Sequence, residues 1–327
     1  MRNSFSFNLR GLEKLQKFKK ISFKDIIVHQ VRTLDEPEPN SIYFLKKISD
    51  KYLDKLDIVS ESLIILPETA KQHNLEIVAE SNMLLYSINP RLDYALVIQH
   101  IMSQGHVDRK YTAHENYVVI GQDVEIGNGT NIEPFVSIDH EANIGKHCTI
   151  KSGARIGPGV KIGDNSVIRE NAVIGGQGFG IERTEDGRTF RIPHIGGVEI
   201  GCNVEIGALS TVVTGTIKPT IIDDFVKTDD HVHIAHNCFV GKGTLITACA
   251  ELSGSITIGE NSWIGPNASL MNGIVLGKRI MVGLGAVVTK SFGDDEVLIG
   301  NPAATIGEIK KIKKEHFKMT RYFKDRQ

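Results

Sequence analysis

The stretch IDHEANIGKHCTIKSGARIGPGVKIGDNSVIRENAVIGG, residues 138–176, places an isoleucine at every sixth position. The pattern extends in both directions. Isoleucines stand six residues apart from Ile120 to Ile174, and a second series of Ile, Val and Leu runs from Ile234 to Val288 in the same step. A period of six matches neither an α-helix nor a simple β-strand. It is typical of hexapeptide repeats, in which the chain coils as a parallel β-helix.

Glycine often follows the branched apolar side chain at once, as at Gly127, Gly145 and Gly157. We expect it at a corner of the coil, where a larger side chain would clash or would need an unfavourable φ. Three hexads make one triangular turn, so residues 18 apart stack at one inter-strand spacing of roughly 4.8 Å. The sequence therefore predicts a mainly β protein built on a left-handed parallel β-helix.

Segments outside the hexads define the other predicted domains. Residues 1–105 combine strand-like stretches (IIVHQVR, SLIILPE) with a helical one (LDYALVIQHIMSQ), which predicts an N-terminal α/β domain. The β-helix is expected over 106–305. Residues 306–327 repeat apolar side chains at steps of three and four, which predicts a C-terminal helix. That helix either packs on its own chain or on symmetry mates, or its lysines face an acidic partner.

Two interruptions break the hexads. After Ile174 the chain runs through GGQGFGIERTEDGRTFRIPH and resumes the repeat at Ile200. We expect a loop that projects from a corner, and loops held on a rigid scaffold often carry function. A tolerated surface insertion is the alternative. The second interruption, TGTIKPTIIDD, shifts the register before Ile222.

The bulk composition narrows the function classes. The chain of 327 residues has a formal net charge of −1, which gives no indication of a nucleic-acid-binding surface. Its four cysteines show neither pairing nor zinc-site spacing, which fits a reducing cytoplasm. The N-terminus lacks an apolar signal-peptide core, and no run of 18 apolar residues occurs. We expect a cytoplasmic protein without an integral membrane segment.

The densest polar cluster is DDHVHIAHNC, residues 229–238. Because Ile234 points inward, His236 and Asn237 are expected to face outward, where an imidazole can act as a general base near neutral pH. The residue 18 positions on is Gly254, followed after another 18 by Asn272. We expect the glycine to leave a gap for substrate and to offer its N–H to an oxyanion.

The same cluster suggests a metal site as an alternative. His231, His233 and His236 form the pattern H-x-H-x-x-H, and neutral imidazoles are common zinc ligands. Within one strand, however, His231 and His233 would share a face while His236 would point to the other side. A metal would then need histidines from an adjacent subunit, so we expect none. His140 occupies the same hexad position as His236 and is interpreted as an ordinary surface residue.

The chain resembles the LpxD-type hexapeptide acyltransferases, which move an acyl group from a thioester to the amine of a nucleotide-linked amino sugar. The segments that carry the resemblance are IGGQGFG, RIPHIGGVEIGCNVEIGA, DDHVHIAHN and GNPA, with NSIYFLK and NPRLDYA similar to the family's nucleotide-binding domain. The resemblance covers nearly the whole chain. It implies a homotrimer with three active sites, each in a groove between neighbouring coils.

Carried over residue by residue, the resemblance implies that His236 takes the proton from the amine and that the Gly254 N–H stabilises the oxyanion. Asn237 joins them as a catalytic residue. The expected contacts of the acyl donor are Gly254, Asn272, Gly283 and Pro302. The expected contacts of the nucleotide sugar are Tyr43, Phe44 and Phe179, although Tyr43 or Phe44 could instead be a core residue.

Several departures distinguish the chain from the lipid A enzymes of this family. Ile274 stands where those enzymes carry a second histidine, Gln177 stands where the family has an acidic residue, and STVVTGTIKPT replaces the family's stretch before the catalytic strand. The C-terminal helix also looks shorter than one that grips an acyl-carrier protein. We therefore expect transfer of a short hydroxyacyl group from acyl-CoA to a soluble dTDP- or UDP-amino sugar for a surface glycan, as in anthrose biosynthesis.

Three alternatives remain open. The first is lipid A synthesis, in which a UDP-3-O-acylglucosamine N-acyltransferase uses an acyl-carrier-protein donor. The second is a zinc carbonic anhydrase on the same coil, which would explain the histidine cluster but neither the first domain nor the glycine-rich loop. The third is a binding or scaffold protein that kept the coil and lost catalysis.

Overall fold

The computed structural model describes residues 4–104, 111–114, 117–311 and 314. The chain forms two compact units. Unit 1 comprises Met1–Arg109, Gln177–Gly197 and Thr216–Lys218, and unit 2 comprises Lys110–Gly176, Val198–Gly215 and Pro219–Gln327. Most of the first interruption of the hexads and residues 216–218 of the second therefore group with unit 1, although both lie within the range 106–305 predicted for the β-helix.

Unit 1 is built around a five-stranded sheet in the order β1-β2-β3-β4-β5, in which β1 and β2 are antiparallel and the other pairs are parallel. The strands are β1 Ser4–Asn8, β2 Ile27–Val31, β3 Ser41–Phe44, β4 Leu63–Pro67 and β5 Met83–Ser87. The α-helices are α1 Asp50–Leu56, α2 Glu76–Ser81 and α3 Pro90–Gln104, and the 3₁₀ helices are Leu9–Lys14, Gln16–Phe18 and Glu68–Gln72.

Strand β4 is buried along its whole length, because a parallel sheet is covered on both faces. Its side chains alternate between two cores. Leu63 and Ile65 lie in one core with residues of α3, and Ile64 and Leu66 lie in the other. The sequence LIILP is thus apolar throughout rather than alternating, as a strand between two packed layers requires.

The first interruption of the hexads contains a β-hairpin, Ile181–Arg183 paired antiparallel with Thr189–Arg191. The chain after the hairpin returns Ile192 and Ile195 to the core that also holds α3. The prediction of a simple projecting loop is therefore incomplete, because much of this segment is an integral part of unit 1.

Unit 2 is a parallel β-helix of three sheets, here called sheets 1, 2 and 3. Sheet 1 contains Thr112–Ala113, Val119–Ile120, Ser137–Ile138, Arg155–Ile156, Val173–Gly176, Thr211–Val213, His233–Ile234, Glu251–Leu252, Ser269–Leu270 and Val287–Val288. Sheet 2 contains Glu125–Ile126, Asn143–Ile144, Lys161–Ile162, Val198–Ile200, Thr220–Ile222, Phe239–Val240, Thr257–Ile258 and Val275–Leu276. Sheet 3 contains Asn131–Ile132, Thr149–Ile150, Val167–Ile168, Glu205–Ile206, Lys227–Thr228, Leu245–Ile246, Trp263–Ile264, Met281–Val282, Val297–Ile299 and Ala304–Thr305.

The register follows the predicted turn of 18 residues. Ile138 pairs with Ile156, and residues of sheets 2 and 3 pair in the same step. The step lengthens only where the chain is interrupted, as between Ile162 and Ile200 or between Val212 and Ile234. One branched side chain from each hexad fills the interior, so the core is a continuous column. The predicted fold class, a mainly β protein with a left-handed parallel β-helix, is confirmed.

The small residue of the hexad is required by close packing of successive turns. A Cβ at Gly127 would lie 2.5 Å from the carbonyl carbon of Gly145, and a Cβ at Gly259 would lie 2.6 Å from that of Gly277. The expected clash is therefore present. The expected unfavourable φ occurs at Gly175, with a φ of 83°, but not at Gly127, Gly145 or Gly157; there the left-handed backbone falls two residues later. Asn165 shows this with a φ of 58°, which asparagine tolerates.

Of the predicted C-terminal helix over 306–327, residues 306–311 are helical. Its remaining residues lie outside the described part of the chain except for residue 314. No helix in the described ranges combines the length and apolar character that crossing a membrane requires.

Candidate active site

His236 lies at a corner of the coil, two residues after the inward Ile234 of sheet 1, and its side chain is half-buried. The residues in this position of successive turns form what is here called the corner column. Counted two residues after each inward residue of sheet 1, its members in order are Gln122, His140, Pro158, Gly176, Thr214, His236, Gly254, Asn272 and Lys290, with a register shift at Gly176, which pairs with Val213.

The imidazole of His236 lies against the backbone of Gly254, one turn further along the column. A Cβ at Gly254 would come within 2.6 Å of Cε1 and 2.8 Å of Nε2 of the ring. Any side chain at Gly254 would therefore displace the imidazole. The predicted gap at this glycine is wrong, because the histidine ring itself fills the space.

The N–H of Gly254 differs from the corresponding N–H at several other corners. The N–H of Gln122 donates to Nδ1 of His140 (2.8 Å), and the N–H of Lys146 donates to Oδ1 of Asp164 (2.7 Å). Within the part of the chain that the structure describes, the N–H of Gly254 donates to no protein acceptor. It therefore keeps its capacity to bind an oxygen of a ligand.

Asn237 places its side-chain amide beside the imidazole. Nδ2 of Asn237 lies 3.0 Å from Nδ1 of His236 and 3.5 Å from Oγ of Ser255. The backbone of Asn237 is left-handed, with a φ of 59°, and its N–H donates to Oγ1 of the buried Thr220 (2.9 Å). The corner is thus fixed by its own residue and by a neighbouring turn. Sequence reasoning missed Thr220, because the second interruption hides its register.

The three histidines of H-x-H-x-x-H do not lie on one strand, as the metal argument assumed. The strand is only His233–Ile234. His231 is an exposed corner residue with a φ of 58°, and Nδ1 of His233 lies 2.5 Å from Oγ1 of Thr211. In the described ranges, no group of three or more His, Cys, Asp or Glu side chains is placed to hold a metal ion.

His140 occupies the same column four turns earlier, and its side chain is only 3% exposed. Its Nδ1 accepts the N–H of Gln122, and its ring lies 4.7 Å from the ring of Tyr111. The hydroxyl of Tyr111 donates to Oδ1 of Asp139 (3.1 Å). The interpretation of His140 as an ordinary surface residue is wrong, since the imidazole caps a backbone amide inside the fold.

The residues predicted to contact the acyl donor lie in three places. Asn272 follows Gly254 in the corner column and is exposed. Gly283 lies before the strand Val287–Val288 and hence at the opposite edge of sheet 1 from the column. The segment around the exposed Pro302 flanks the end of sheet 1, where the N–H of Ala303 donates to the carbonyl of Val287 (2.6 Å). The structure therefore brings Gly254 and Asn272 together and places Gly283 apart from them.

Unit 1 contains the three residues predicted to contact the nucleotide sugar. Tyr43 is 1% exposed, its hydroxyl bonds the backbone of Glu38, and burial raises the pKa of its phenol. Tyr43 is thus a core residue, and the prediction that it stacks on a base is wrong. Phe44 is half-buried and stacks on Tyr94, with ring centroids 4.6 Å apart. Phe179 is 83% exposed. The roles of Phe44 and Phe179 stay predictions.

Comparison with known proteins gives matches along the coil and beyond it. Residues 141–176 match the model of the bacterial transferase hexapeptide (six repeats), and residues 255–290 match the hexapeptide repeat of succinyl-transferase. A UDP-3-O-acylglucosamine N-acyltransferase from Helicobacter hepaticus is 36% identical over 295 residues, 88% of each chain. The enzyme of the same name from Delftia acidovorans is 37% identical over 128 residues, which is 39% of this chain but only 38% of that relative's length.

Two solved structures share the fold. The UDP-N-acetylglucosamine acyltransferase from Campylobacter jejuni has a TM-score of 0.53 at 25% identity, covering 59% of this chain and 73% of its own. The UDP-N-acetylglucosamine acyltransferase from Bacteroides fragilis has a TM-score of 0.51 at 25% identity, covering 57% and 71%. With the repeats, the coil and a relative matched over most of both lengths, the chain belongs to the hexapeptide-repeat acyltransferase family, whose related members are named UDP-3-O-acylglucosamine N-acyltransferases.

Proposed function

We propose that this protein transfers an acyl group from a thioester to the amine of UDP-3-O-acylglucosamine. One observation carries the proposal: an outward imidazole, His236, lies against a glycine, Gly254, whose N–H has no protein acceptor in the described part of the chain. A proton acceptor beside an oxyanion donor is the pair of groups that acyl transfer uses. The names of the relatives supply the acceptor sugar.

The reaction begins when the lone pair of the sugar amine attacks the carbonyl carbon of the thioester. The electrons of the C=O bond move to the oxygen, and the Gly254 N–H stabilises the negative charge. His236 takes one proton from the amine nitrogen as the N–C bond forms. The tetrahedral intermediate then expels the thiolate, which takes up a proton, and the amide remains on the sugar. If the departing thiolate can itself accept the amine proton, His236 contributes less.

The contact with Asn237 selects the nitrogen that accepts the proton. Nδ1 of His236 faces the Asn237 amide, so the proton from the amine goes to Nε2. The ring then needs its own hydrogen on Nδ1, directed to the carbonyl oxygen of the amide. A half-turn of the amide group exchanges its oxygen and nitrogen and provides this arrangement. Asn237 thereby holds the tautomer that lets Nε2 act as a base.

The use of the Gly254 N–H requires a movement of the ring. Gly254 is buried, and the imidazole lies over it. Rotation of the His236 side chain away from the glycine would open the N–H to the thioester oxygen, and the Asn237 amide must turn with the ring to keep its contact with Nδ1. Because no side chain projects from Gly254, this rotation meets no Cβ.

The donor is a thioester of acyl-carrier protein or of coenzyme A. The sugar named for the relatives favours the lipid A reaction, and with it the carrier-protein donor. Asn272, one inter-strand spacing beyond Gly254, would offer its amide to the donor. We also propose the homotrimer that the family resemblance implies. The reaction needs no metal in this scheme.

A second candidate is transfer of a short hydroxyacyl group from acyl-CoA to a soluble dTDP- or UDP-amino sugar. Gln177 favours it, because a neutral side chain stands where the resemblance implies an acidic residue. Ile274 gives no support, because this side chain is 3% exposed in the core of the coil and does not face the site. The names of the relatives weigh against this candidate.

Measurement of free thiol release separates the two candidates. The purified protein is incubated with 3-hydroxyacyl-carrier protein or with short hydroxyacyl-CoA, and with UDP-3-O-acylglucosamine or a dTDP-amino sugar. Release that needs UDP-3-O-acylglucosamine and the carrier protein supports the proposal. Release that needs the dTDP-amino sugar and coenzyme A supports the second candidate. Release with no sugar dependence would contradict both.

A further inference from the structure

One column of side chains inside the coil is polar at two consecutive turns and apolar at the others. Its members stand two residues before each inward residue of sheet 2 and are here called the inner column: Val124, Ala142, Val160, Val198, Thr220, Cys238, Ile256 and Ile274. The polar members are Thr220 and Cys238, and every other member is Val, Ala or Ile. A polar group in such an interior needs a hydrogen-bond partner, so these turns differ from the rest.

Both polar members bond to the backbone of the candidate active site. Oγ1 of Thr220 accepts the N–H of Asn237 (2.9 Å), and Sγ of Cys238 donates to the carbonyl of Ser253 (3.2 Å). Asn237 contacts the catalytic imidazole, and Ser253 directly precedes Gly254. The polar side chains of the inner column therefore lie at the turns that carry the proposed catalytic groups.

The bond from Cys238 sets the direction of the Gly254 N–H. The carbonyl of Ser253 and the N–H of Gly254 belong to one trans peptide, so the two bonds point in opposite directions. Cys238 is 1% exposed, and the Ser253 carbonyl is directed to its sulfur. The Gly254 N–H consequently points away from the thiol, to the side on which the imidazole lies.

The Cys238 thiol keeps its hydrogen under ordinary conditions. Burial raises its pKa to about 11, against smaller lowering effects of hydrogen bonds from the backbone of Ile256 and Ser255. A thiol is a weak donor. Its bond to the Ser253 carbonyl nevertheless polarises the peptide, which makes the N–H of the same peptide a better donor. The thiol thus both orients and strengthens the candidate oxyanion donor.

The corner of His140 has no such support. Ala142 stands two residues after His140, as Cys238 stands two residues after His236. An alanine side chain offers neither a donor nor an acceptor. The buried hydrogen-bonding group is therefore present behind the outward imidazole and missing behind the imidazole that caps a backbone amide.

We propose that Cys238 is a positioning residue that directs the Gly254 N–H to the thioester oxygen; this rests on the proposed function. The N–H needs a support other than the imidazole, because the ring must rotate away before an oxygen can bind there. The thiol supplies this support from inside the coil and does not move with the ring. It contacts the peptide that carries the N–H, not the substrate.

Steady-state thiol release tests the proposal with 3-hydroxyacyl-carrier protein and UDP-3-O-acylglucosamine. Cys238→Val removes the donor and inserts the residue that the inner column holds at Val160 and Val198. We expect kcat to fall about tenfold, a part of the roughly 10²–10³ lost with an oxyanion donor. Both KM values should stay within about twofold, because the N–H acts on the oxyanion and not on the bound substrates. Cys238→Ser restores a donor and should recover most of the lost rate.

Cys148 provides the matched control elsewhere in the coil. It is 1% exposed, and its Sγ donates to the carbonyl of Gly163, also at 3.2 Å. Valine fits there as well, since Val204 and Val226 hold the equivalent position of later turns. Cys148→Val should lower the thermal midpoint about as much as Cys238→Val and leave kcat unchanged.

Amide hydrogen exchange provides a readout that does not depend on activity. Cys238→Val should accelerate exchange in residues 253–256, because the thiol bonds the backbone on both sides of this corner. Cys148→Val should leave exchange in residues 253–256 unchanged. The comparison shows whether the Cys238 thiol holds the peptide of Gly254.

The outcomes separate this proposal from the proposed function. Unchanged kcat in Cys238→Val, an equal loss of kcat in Cys148→Val, or a serine variant as slow as the valine variant would overturn the positioning role. A loss confined to KM would also overturn it. A wild type that releases no thiol with these substrates would overturn the proposed function, and the exchange experiment would still decide whether the thiol fixes the corner.

Discussion

Two histidines occupy the same hexad position of the same corner column, four turns apart, and their surroundings differ completely. His140 is buried, and its Nδ1 accepts a backbone N–H from the preceding turn. His236 is half-buried, lies against Gly254 of the following turn, and faces the Asn237 amide. One imidazole thus completes the hydrogen bonding of the coil, and the other is directed to a corner where a substrate could bind.

The residues on the neighbouring turns produce this difference. The turn after His140 presents Pro158, which has no N–H to offer, and the turn after His236 presents Gly254. The glycine permits the imidazole to lie over the backbone and keeps an N–H beside it. Position within the hexad therefore fixes the direction of a side chain, whereas the stacked neighbours decide its role.

The largest expected effect is on activity in His236→Ala. Loss of the proton acceptor should lower kcat by roughly 10²–10⁴-fold. The thermal midpoint should change little, because the side chain is half-buried at a corner. Steady-state thiol release and a thermal melt of the same preparation check this. Activity close to that of the wild type would show that the leaving thiolate accepts the proton.

Gly254→Ala should be nearly as damaging. Its Cβ would lie 2.6 Å from the His236 ring, so the imidazole must move, and both groups of the site are disturbed. Loss of one oxyanion donor alone costs roughly 10²–10³ in kcat. The matched control is Gly293→Ala, since a Cβ at Gly293 meets no heavy atom within 4 Å. If both variants keep full activity, Gly254 has no part in the reaction.

Asn237→Gly removes the amide and keeps a residue suited to the left-handed corner. We expect kcat to fall about tenfold, which corresponds to about 1.4 kcal/mol of activation free energy. The free energy of unfolding should change little. The pH–rate profile should broaden, because the tautomer of His236 is no longer held. An unchanged rate and profile would show that the Nδ1 contact does not assist the base.

His140→Ala should reverse the pattern seen at His236. It leaves the N–H of Gln122 without its buried acceptor, which costs about 1–3 kcal/mol of unfolding free energy. The kcat of the folded protein should stay within about twofold of the wild-type value. A twofold change corresponds to less than about 0.5 kcal/mol of activation free energy. Denaturant unfolding monitored beside the thiol assay measures both quantities. A large loss of kcat with unchanged stability would remove the distinction between the two corners.

At neutral pH the smallest expected effect is that of ionising Cys238, two residues after His236, because it develops only in alkaline solution. Burial raises the pKa of the Cys238 thiol from 9.0 to about 11. The pKa of the Cys238 thiol is higher in the folded than in the unfolded state. The stability that the neutral thiol contributes is therefore complete below about pH 9 and is lost as the pH rises from about 9 to 11. The loss should approach roughly 3 kcal/mol. Denaturant unfolding across this range, compared with Cys238→Ala, checks it, and an identical pH dependence in the two proteins would count against it.

The coil could be predicted from sequence because one inward side chain recurs in each hexad and a glycine often follows it, and each has a steric reason. The candidate active site was harder to predict. His236 and Asn237 stand out as outward members of the densest polar cluster, and Gly254 was placed beside His236 because residues 18 apart stack, which is a property of the repeat. The same rule gave no role to His140, since its partner, the Gln122 N–H, belongs to the backbone and leaves no trace in the pattern.

Unit 1 shows a second limit of sequence reasoning. Tyr43 and Phe44 are adjacent aromatic residues on β3, and alternation along a strand places one on each face of the sheet. The sequence does not show that both faces are covered, so Tyr43 was assigned to the substrate although it is buried. The two hydrogen bonds between Gln177 and His194 were also missed, because they join residues 17 apart across a hairpin with no repeat.

The most direct test of the central claim is thiol release by the wild type, His236→Ala and His140→Ala under one set of conditions. The substrates are 3-hydroxyacyl-carrier protein and UDP-3-O-acylglucosamine, and each rate is expressed per folded molecule. We expect wild-type and His140→Ala rates to agree within about twofold and the His236→Ala rate to be at least about 10²-fold lower. Equal rates in all three proteins, or a loss confined to His140→Ala, would contradict the assignment of the reaction to the His236 corner.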